Sequence, residues 1–212
     1  MAEQILTIWD KRFDCEEYLY GTVANDFLQE MAGEIPPGEV LLPAEGEGRN
    51  AVFLAEQGYR ATALDSSRVG LEKAQRLARE RGVKICTIVA DLADVTIEPE
   101  RWAGVVLCYC HLPAGLRAPL LSKVVQGLQP GGVLILEGFA KEQLQYSSGG
   151  PSDPNLLYAL DEIKKELAGL HLLVAQTIER ELHEGSGHQG LAAVAQIFGR
   201  KETVKKRSED AT

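Results

Sequence analysis

The segment LLPAEGEGRNA, residues 41–51, has the residue types of a ligand-binding turn. An apolar run leads into Gly46 and Gly48, and a stretch with helical spacing follows them. With Ala51, the glycines satisfy the pattern G-x-G-x-x-G/A, in which a tight turn lets a pyrophosphate lie on a helix N-terminus. Asp65 follows roughly 20 residues later, where that pattern has an acid for the ribose. By spacing alone, the turn predicts a bound dinucleotide such as NAD.

The charges beside the turn favour a ligand without phosphate. Glu45 and Glu47 flank Gly46, so a pyrophosphate at this helix N-terminus would meet two carboxylates. The phosphate-binding loop of the nucleotide triphosphatases is not matched either, because no Gly-Lys-Ser/Thr follows. We therefore expect a phosphate-free ligand, with an NAD(P)-dependent oxidoreductase as the alternative.

Composition restricts the class of protein and its partners. At 212 residues and 45% hydrophobic content, the chain is most simply one domain with a sizeable core. Acidic residues outnumber basic ones by 31 to 22, and the net charge of -9 repels nucleic acid and anionic membranes. Neither a leader pattern nor an apolar run of membrane-spanning length is evident. We expect a cytoplasmic monomer or homodimer without nucleic-acid or membrane partners.

Short apolar runs alternate with amphipathic stretches along most of the chain. The runs predict strands, and the spacing of apolar residues between them predicts helices, one of which includes Leu128. Because this alternation requires crossover connections, it favours a parallel sheet with helices on both faces, a doubly wound α/β fold. The predicted strands of this part are residues 40–42, 59–65, 83–91, 102–112 and 133–139.

The C-terminal part departs from this alternation. After a helix at residues 160–168, two β-like runs cover residues 170–184 and 190–201. Only a short glycine turn joins the two runs, so they must pair antiparallel. The expected organisation is one domain at residues 1–200, with an N-terminal lid or helix segment at residues 1–35, and a disordered charged tail at residues 201–212.

Residues 39–67, EVLLPAEGEGRNAVFLAEQGYRATALDSS, resemble motifs I and II of the class I S-adenosylmethionine-dependent methyltransferases. The segments IVADL, VVLCYCHLP and LQPGGVLIL are similar to later motifs of that family, and the closing hairpin is similar to its antiparallel seventh strand. The resemblance implies a seven-stranded Rossmann-like sheet whose last strand is antiparallel. It also implies S-adenosylmethionine as cofactor, S-adenosylhomocysteine as product and a small-molecule acceptor.

Within this family, three segments resemble the tellurite-resistance methyltransferases and their thiopurine-methyltransferase-like relatives. They are WDKRF, YGTVANDFL and ELHEGSGHQGLAAVAQIFGRK, so the resemblance extends over residues 9–201. Methyl transfer to a soft nucleophile, such as a thiol, selenium or tellurium anion, needs no strong base, whereas an alcohol or amine needs one. No catalytic dyad is obvious in the sequence, which favours a soft acceptor.

The resemblance also implies which residues bind the cofactor. Asp65 is expected to bind the ribose and Asp91 the adenine, with Asp94 as a rival for the second role. Tyr20 and Gly21 resemble part of an N-terminal lid. The expected cofactor-binding residues are Ala44, Glu45, Gly46, Gly48, Asp65, Ser66, Asp91, Leu92, Cys108, Tyr20 and Gly21.

The glycine turn departs from the family pattern at Leu42, Pro43 and Ala44. Ala44 stands where the family has its first glycine, and a positive φ there would cost on the order of 1 kcal/mol. Leu42 stands where the family has an acid, and Glu45 or Glu47 is the expected substitute as partner of the cofactor's positive charges. A non-catalytic cofactor-binding or interaction protein is therefore a second alternative.

His111 follows the fourth predicted strand, so we expect it near the transferred methyl group as a substrate or cofactor contact or as a base. Its alternative role is to cap a turn or helix. His188, in the last hairpin, is a weaker candidate for the acceptor site. Cys108 and Cys110 share a strand face, but a tetrahedral metal site needs two more ligands, so we predict small core residues and no metal.

Overall fold

The computed structural model describes residues 7–203, which contain one seven-stranded sheet. Residues 1–6 and 204–212 lie outside the described part, and with them most of the tail that the sequence predicts to be disordered. Between residues 7 and 203, no helix has both the length and the apolar composition that a membrane span requires. The strands are β1 (Glu39–Pro43), β2 (Arg60–Asp65), β3 (Cys86–Val89), β4 (Trp102–Cys108), β5 (Leu128–Phe139), β6 (Leu170–Glu184) and β7 (His188–Lys201). The helices are α1 (Ile8–Phe13), α2 (Asp26–Met31), α3 (Arg49–Glu56), α4 (Arg68–Glu80), α5 (Ala114–Gly127) and α6 (Leu160–Glu166), with short 3₁₀ turns at Ala32–Glu34 and Lys141–Gln145.

The strand order β3-β2-β1-β4-β5-β7-β6 confirms the predicted doubly wound sheet. Neighbouring strands from β3 to β5 run parallel, whereas β7 runs antiparallel to both β5 and β6, as the short turn requires. The strand order reverses between β1 and β4, and ligands of such sheets bind beside this point at the carboxyl ends of the strands. The ends of β1, β2, β4 and β5 therefore define where a site is expected.

Local sequence explains the limits of α4, which fix the loop after β2. The Ser67 hydroxyl accepts a hydrogen bond from the Gly70 N–H at 3.0 Å, as an N-cap serine does. Beyond the other end, Gly82 has a left-handed φ of 71°, which the helix cannot continue through. Leu71 and Ala74 bury one face of the helix against the sheet. The residues just before Ser67 are thus held at the sheet edge.

Successive residues of the parallel strands face opposite layers of helices. Val40 and Leu42 pack in the cluster formed with α2, α3 and α4, whereas Leu41 packs in the cluster formed with α5 and α6. All three side chains are buried. Burial on both faces explains why these strands are continuous apolar runs in the sequence. It also gives the residues at the strand ends a rigid support.

Several element limits differ from the sequence prediction. β3 covers only Cys86–Val89 of the predicted residues 83–91, β7 begins at His188 instead of residue 190, and α6 ends at Glu166 instead of residue 168.

The limits of β5 and β4 also differ. Leu128 begins β5 instead of belonging to a helix, because it pairs with Trp102 of β4. The next pair is Gly104 with Val133, so a register shift between Trp102 and Gly104 accommodates the extra residues of β5. β4 ends at Cys108 because Tyr109 has a φ of 53°, which an extended strand cannot contain. The residues after Tyr109 consequently turn over the edge of the sheet.

We expect Gly48→Ala to destabilise the fold. Gly48 has a φ of 91°, and a Cβ there would lie 2.3 Å from the Cβ of Ala74 in α4. The left-handed backbone and the overlap should together lower the free energy of unfolding by about 3 kcal/mol. Gly115→Ala is the control, because a Cβ there meets nothing within 4 Å. Urea denaturation compares the two variants, and equal stability would contradict the packing explanation.

Candidate functional site

A cavity of about 520 Å³ opens at the carboxyl ends of β1, β2, β4 and β5. All but one of the residues that the sequence assigns to the site line this cavity. The exception is Gly48, which precedes α3 and packs against Ala74, so it serves the turn and the helix packing. Residues that the sequence analysis missed complete the wall, including Arg12, Phe13, Arg49, Tyr109, Phe139 and Gly149.

The turn after β1 has a left-handed backbone at three alternate positions. Ala44, Gly46 and Gly48 have φ values of 56°, 63° and 91°. Ala44 therefore has the positive φ that costs it on the order of 1 kcal/mol relative to glycine. The ring of Phe13 lies against Gly46, where a Cβ would approach its Cζ to 3.1 Å. The turn keeps a tight shape although an alanine occupies its first position.

Glu45 closes the N-terminus of α3 with its own carboxylate. Its Oε1 accepts hydrogen bonds from the N–H groups of Asn50 and Ala51, both at 2.8 Å, and its Oε2 has only a 3.4 Å contact with the Asn50 amide. Burial raises the pKa of Glu45 to about 7, although the two N–H bonds favour the charged form. A pyrophosphate could reach this helix N-terminus only by displacing the carboxylate. The site therefore suits a ligand that brings a positive charge.

Glu47, the other acid of the turn, already has partners. Its Oε1 lies 2.5 Å from the Lys73 ammonium, and its Oε2 accepts the Leu19 N–H at 2.8 Å. Lys73 also donates to the backbone carbonyls of Phe13, Cys15 and Glu17 in the N-terminal segment. Glu47 thus anchors the N-terminal segment, which leaves Glu45 as the substitute for the missing acid.

Asp65 ends β2 and lies in the cavity wall beside Ser66. Its carboxylate accepts the Gly46 N–H at 2.9 Å and the Ser67 N–H at 2.8 Å, and burial raises its pKa. Each carboxylate oxygen has a further lone pair for a hydroxyl donor. The position is compatible with the ribose contact, which stays a prediction.

Asp91 and Leu92 reach the cavity from the loop after β3, whereas the rival Asp94 does not line it. One Asp91 oxygen accepts the Ala93 N–H at 2.9 Å and so stabilises the loop. The side chain is otherwise exposed, with its second oxygen available. The adenine contact of Asp91 stays a prediction.

The N-terminal segment forms one wall of the cavity, where the sequence predicts a lid. Tyr20 and Gly21 line the cavity together with Phe13. Asp10 in α1 accepts a hydrogen bond from the Ser67 hydroxyl at 2.8 Å, which fastens the segment to the start of α4. This contact and the bonds to Glu47 and Lys73 hold the N-terminal segment in place as one wall of the site.

His111 has no free ring nitrogen. Its Nδ1 lies 2.9 Å from the Leu156 carbonyl oxygen, and its Nε2 accepts the Phe139 N–H at 3.1 Å. This arrangement requires a neutral ring protonated on Nδ1, and burial lowers the pKa of His111 to about 4. The expectation of a base at His111 is therefore corrected: the ring lines the cavity and ties the turn after β4 to β5.

His188 has the geometry of a base, which the sequence predicted for His111. Its Nδ1 lies 3.1 Å from Oε2 of Glu184, whereas its Nε2 has no hydrogen-bond partner among residues 7–203. The ring lines the cavity. The sequence contains a signal for this pair, because a turn of only three residues, GSG, places Glu184 directly opposite His188 in the hairpin.

The protonation of this pair follows from its surroundings. Burial raises the pKa of Glu184, but the hydrogen bond from His188 and the charge of Arg49 outweigh burial and lower it to about 2. Burial also lowers the pKa of His188, against the effect of the carboxylate. A neutral imidazole whose Nδ1–H donates to a carboxylate has a basic Nε2, and this ring lines the cavity.

A second acid, Glu137 of β5, is fully buried behind the pair. Its Oε1 accepts hydrogen bonds from Arg180 at 2.6 Å, Asn25 at 2.6 Å and the Tyr109 hydroxyl at 3.1 Å. Its Oε2 accepts the Gln196 amide at 2.6 Å. Both oxygens are thus engaged, and Glu137 fixes the Tyr109 ring instead of facing a ligand.

We call the part of the cavity beside His188 the aromatic end; it is lined by Tyr109, Phe139, Gly149, Gly150 and His188. The ring centroids of Tyr109 and Phe139 lie 4.2 and 5.0 Å from that of His188. A Cβ at Gly149 would lie 2.9 Å from Cδ2 of His188, and one at Gly150 would lie 2.7 Å from Phe139. The two glycines thus pack directly on the rings, and the lining of this end of the cavity is mainly aromatic.

The two cysteines at the end of β4 are thiols rather than thiolates. Burial raises the pKa of Cys108 well above its usual range and that of Cys110 to about 12. Cys108 lines the cavity as predicted for a cofactor-site residue, in protonated form. Within the described part of the chain, no three His, Cys, Asp or Glu side chains are grouped to hold a metal ion.

Comparison with known proteins identifies the fold. Residues 40–132, which contain the glycine turn, Asp65 and Asp91, match a methyltransferase domain. TehB from Haemophilus influenzae has the same fold, with a TM-score of 0.69 at 18% identity over 92% of this chain and 66% of that chain. The fold is therefore that of the Rossmann-like methyltransferases, as predicted, while the tellurite-resistance subtype stays a prediction.

The curated proteins that are similar in sequence include two methyltransferases. The 2-heptyl-1-hydroxyquinolin-4(1H)-one methyltransferase of Mycobacteroides abscessus is 30% identical over 125 residues, 56% of this chain and 55% of that protein. The ubiquinone biosynthesis O-methyltransferase of Rickettsia conorii is 25% identical over 123 residues, 58% of this chain and 42% of that protein. The chain spans about half the length of the curated relatives it matches.

We expect Glu184→Gln to lower stability in a pH-dependent way. It leaves Arg49 buried without its carboxylate partner, which should cost about 3 kcal/mol near neutral pH. Because the pKa of Glu184 falls from 4.5 to about 2 on folding, its contribution is present above 4.5 and is lost as the pH falls through 2.

Urea denaturation of both proteins as a function of pH measures this dependence. The difference in unfolding free energy should be largest near neutral pH and should narrow in acid. Glu181→Gln is the control, because Glu181 is exposed on the same strand. A difference that does not change with pH would contradict the role of the Glu184 charge.

Proposed function

We propose that the protein is an S-adenosylmethionine-dependent methyltransferase that methylates a hydroxyl group on a small aromatic acceptor. The observation that carries the proposal is the pair of His188 and Glu184. Nε2 of His188 has no hydrogen-bond partner among residues 7–203, and its ring lies at the aromatic end of the cavity. A hydroxyl is a weak nucleophile and needs a base, whereas thiol, selenium and tellurium anions do not. The pair removes the main sequence argument for a soft acceptor, which was the lack of an obvious dyad.

The cavity suits S-adenosylmethionine better than NAD(P). Glu45 occupies the α3 N–H groups that a pyrophosphate would need, and its second oxygen can attract the cofactor's ammonium or sulfonium. Asp65 has lone pairs left for ribose hydroxyls, and Tyr20 lines the same cavity. When bound, the cofactor supplies a methyl group on a positively charged sulfur that leaves as a neutral thioether.

The side chains of this protein have two tasks in such a transfer. Glu184 keeps a proton on Nδ1 of His188, so that Nε2 accepts the proton of the acceptor hydroxyl. Loss of this proton to Nε2 would make the acceptor oxygen the nucleophile for the methyl group that a bound cofactor would supply. Tyr109 and Phe139 hold the acceptor ring in line and exclude water.

The names of the curated relatives support an oxygen acceptor. One relative is named for a 1-hydroxyquinolinone, and the other is named an O-methyltransferase. The segments that resemble the tellurite-resistance methyltransferases keep a soft acceptor as the second candidate. The strained Ala44 and the missing acid at Leu42 favour the non-catalytic alternative. The experiments below separate the three.

Asp65→Ala is expected to lower the affinity for S-adenosylhomocysteine ten-fold or more, about 1.4 kcal/mol, because the ribose hydroxyls lose their acceptor. Isothermal titration calorimetry measures this affinity. Asp94→Ala is the control, because Asp94 does not line the cavity. Unchanged affinity in Asp65→Ala would contradict the assignment of Asp65 to the ribose. If the wild-type protein binds NAD but not S-adenosylhomocysteine, the protein is an oxidoreductase and the proposed methyltransferase function is wrong.

His188→Asn is expected to lose activity while cofactor binding persists. Methyl transfer to a hydroxyquinolinone or phenol should fall by about 10²- to 10⁴-fold, because the base is removed. His183→Asn is the control, because His183 is exposed in the same hairpin. Assays with labelled methyl groups also include a thiophenol, selenite and tellurite.

The acceptor panel distinguishes the alternatives. If methyl transfer occurs only to the sulfur, selenium or tellurium compounds, and His188→Asn does not affect it, the acceptor is soft and the proposed hydroxyl acceptor is wrong. Bound S-adenosylhomocysteine without transfer to any acceptor would favour the non-catalytic protein.

A further inference from the structure

Arg49 joins the glycine turn to the pair of His188 and Glu184. It is the first residue of α3, directly after the turn, and it lines the cavity. Its Nη2 lies 2.9 Å from Oε2 of Glu184, the same oxygen that faces Nδ1 of His188 at 3.1 Å. One carboxylate oxygen is therefore shared between a cation on the cofactor side and the imidazole on the acceptor side.

The same guanidinium holds the N-terminal wall of the cavity. Its Nη1 donates to the carbonyl oxygens of Tyr20 at 3.2 Å and Val23 at 3.5 Å. Arg49 is only 6% exposed, so solvent screens its charge weakly. A single side chain thus connects α3, β6 and the N-terminal segment, which surround the cavity.

We propose that Arg49 is a positioning residue that fixes Glu184 against His188, keeps the imidazole unprotonated, and ties the base to the first turn of α3. The inference rests on the proposed function, because it requires His188 to act as the base. Two effects act together. The guanidinium restricts the carboxylate to one orientation, and its positive charge disfavours a second positive charge on the neighbouring ring.

The charges around His188 support this role. Burial lowers the pKa of His188, Glu184 opposes this effect, and Arg49 reinforces it. Without Arg49, the carboxylate would favour the imidazolium more strongly. The charged and titratable groups around the pair are Arg180 of β6, Glu137 of β5, Arg12 and Tyr20 of the N-terminal segment, and Tyr109 and His111 of the turn after β4.

Arg117 is a matched arginine without this role. It is 3% exposed and makes two hydrogen bonds of 2.8 Å to Glu166, which join α5 to α6. It does not line the cavity. Loss of Arg49 leaves the buried Glu184 without its arginine partner, and loss of Arg117 leaves the partly buried Glu166 without its own, so both losses should reduce stability. Only the loss of Arg49 should change the protonation of His188.

The pH dependence of kcat/KM for a hydroxylated aromatic acceptor, at saturating S-adenosylmethionine, separates these effects. Its acidic limb reports the ionisation of the base. Arg49→Met should move this limb to higher pH by roughly one unit, because the imidazolium becomes easier to form. Below the limb, activity should be about ten-fold lower than in the wild type. Arg117→Met should leave the limb in place.

Arg49→Lys provides a second test of the proposal if Arg49→Met does not fold. Lysine retains the charge but cannot bond Glu184, Tyr20 and Val23 through one planar fork. The acidic limb should therefore stay in place, while the KM for S-adenosylmethionine should rise several-fold. An acidic limb that coincides in the wild type and Arg49→Met, or an unchanged KM in Arg49→Lys, overturns the proposal.

These outcomes differ from a failure of the proposed function. Full activity in His188→Asn would show that His188 is not the base, and the role proposed for Arg49 would then be wrong as well. Loss of activity in His188→Asn together with a fixed limb in Arg49→Met would keep the base and reject the role of Arg49.

Discussion

The site depends on one buried carboxylate oxygen, Oε2 of Glu184, which binds Arg49 and faces His188. Burying charges is unfavourable unless each one has its partner, and loss of one partner costs several kcal/mol. Glu137, beside this carboxylate, is paired with Arg180 in the same way. Because the partners come from α3, β5 and β6, the ion pairs can form only when the sheet and the final hairpin are assembled. The same pairs that the fold requires thus set the geometry of the cavity.

The glycine turn balances two smaller effects. The left-handed φ of Ala44 costs on the order of 1 kcal/mol, which glycine would avoid. The carboxylate of Glu45 bonds two N–H groups of α3 in the manner of a helix cap, which contributes about 1 kcal/mol. The two effects are of similar size, so the turn can keep its shape with one glycine fewer. For a ligand, the consequence is that the Glu45 carboxyl group already occupies the helix end.

The sequence was sufficient for features that depend on local pattern. Alternating strands and helices predicted the sheet, and a short turn predicted the antiparallel hairpin. The role of His111 was not predictable in this way, because its partners Leu156 and Phe139 lie 45 and 28 residues away along the chain. The pairing of His188 with Glu184 was within reach, because a three-residue turn in an antiparallel hairpin sets these side chains opposite each other.

Under the proposed function, cofactor binding and the state of the base favour each other. A sulfonium in this cavity adds a positive charge where solvent is excluded, so a second positive charge on His188 becomes less favourable. The cofactor's ammonium acts on Glu45 in the opposite sense: burial holds the pKa of that acid at about 7, and a nearby cation lowers it. Binding therefore shifts Glu45 toward the carboxylate and His188 toward the neutral imidazole. The charges that transfer requires are consequently most favourable when the cofactor is present.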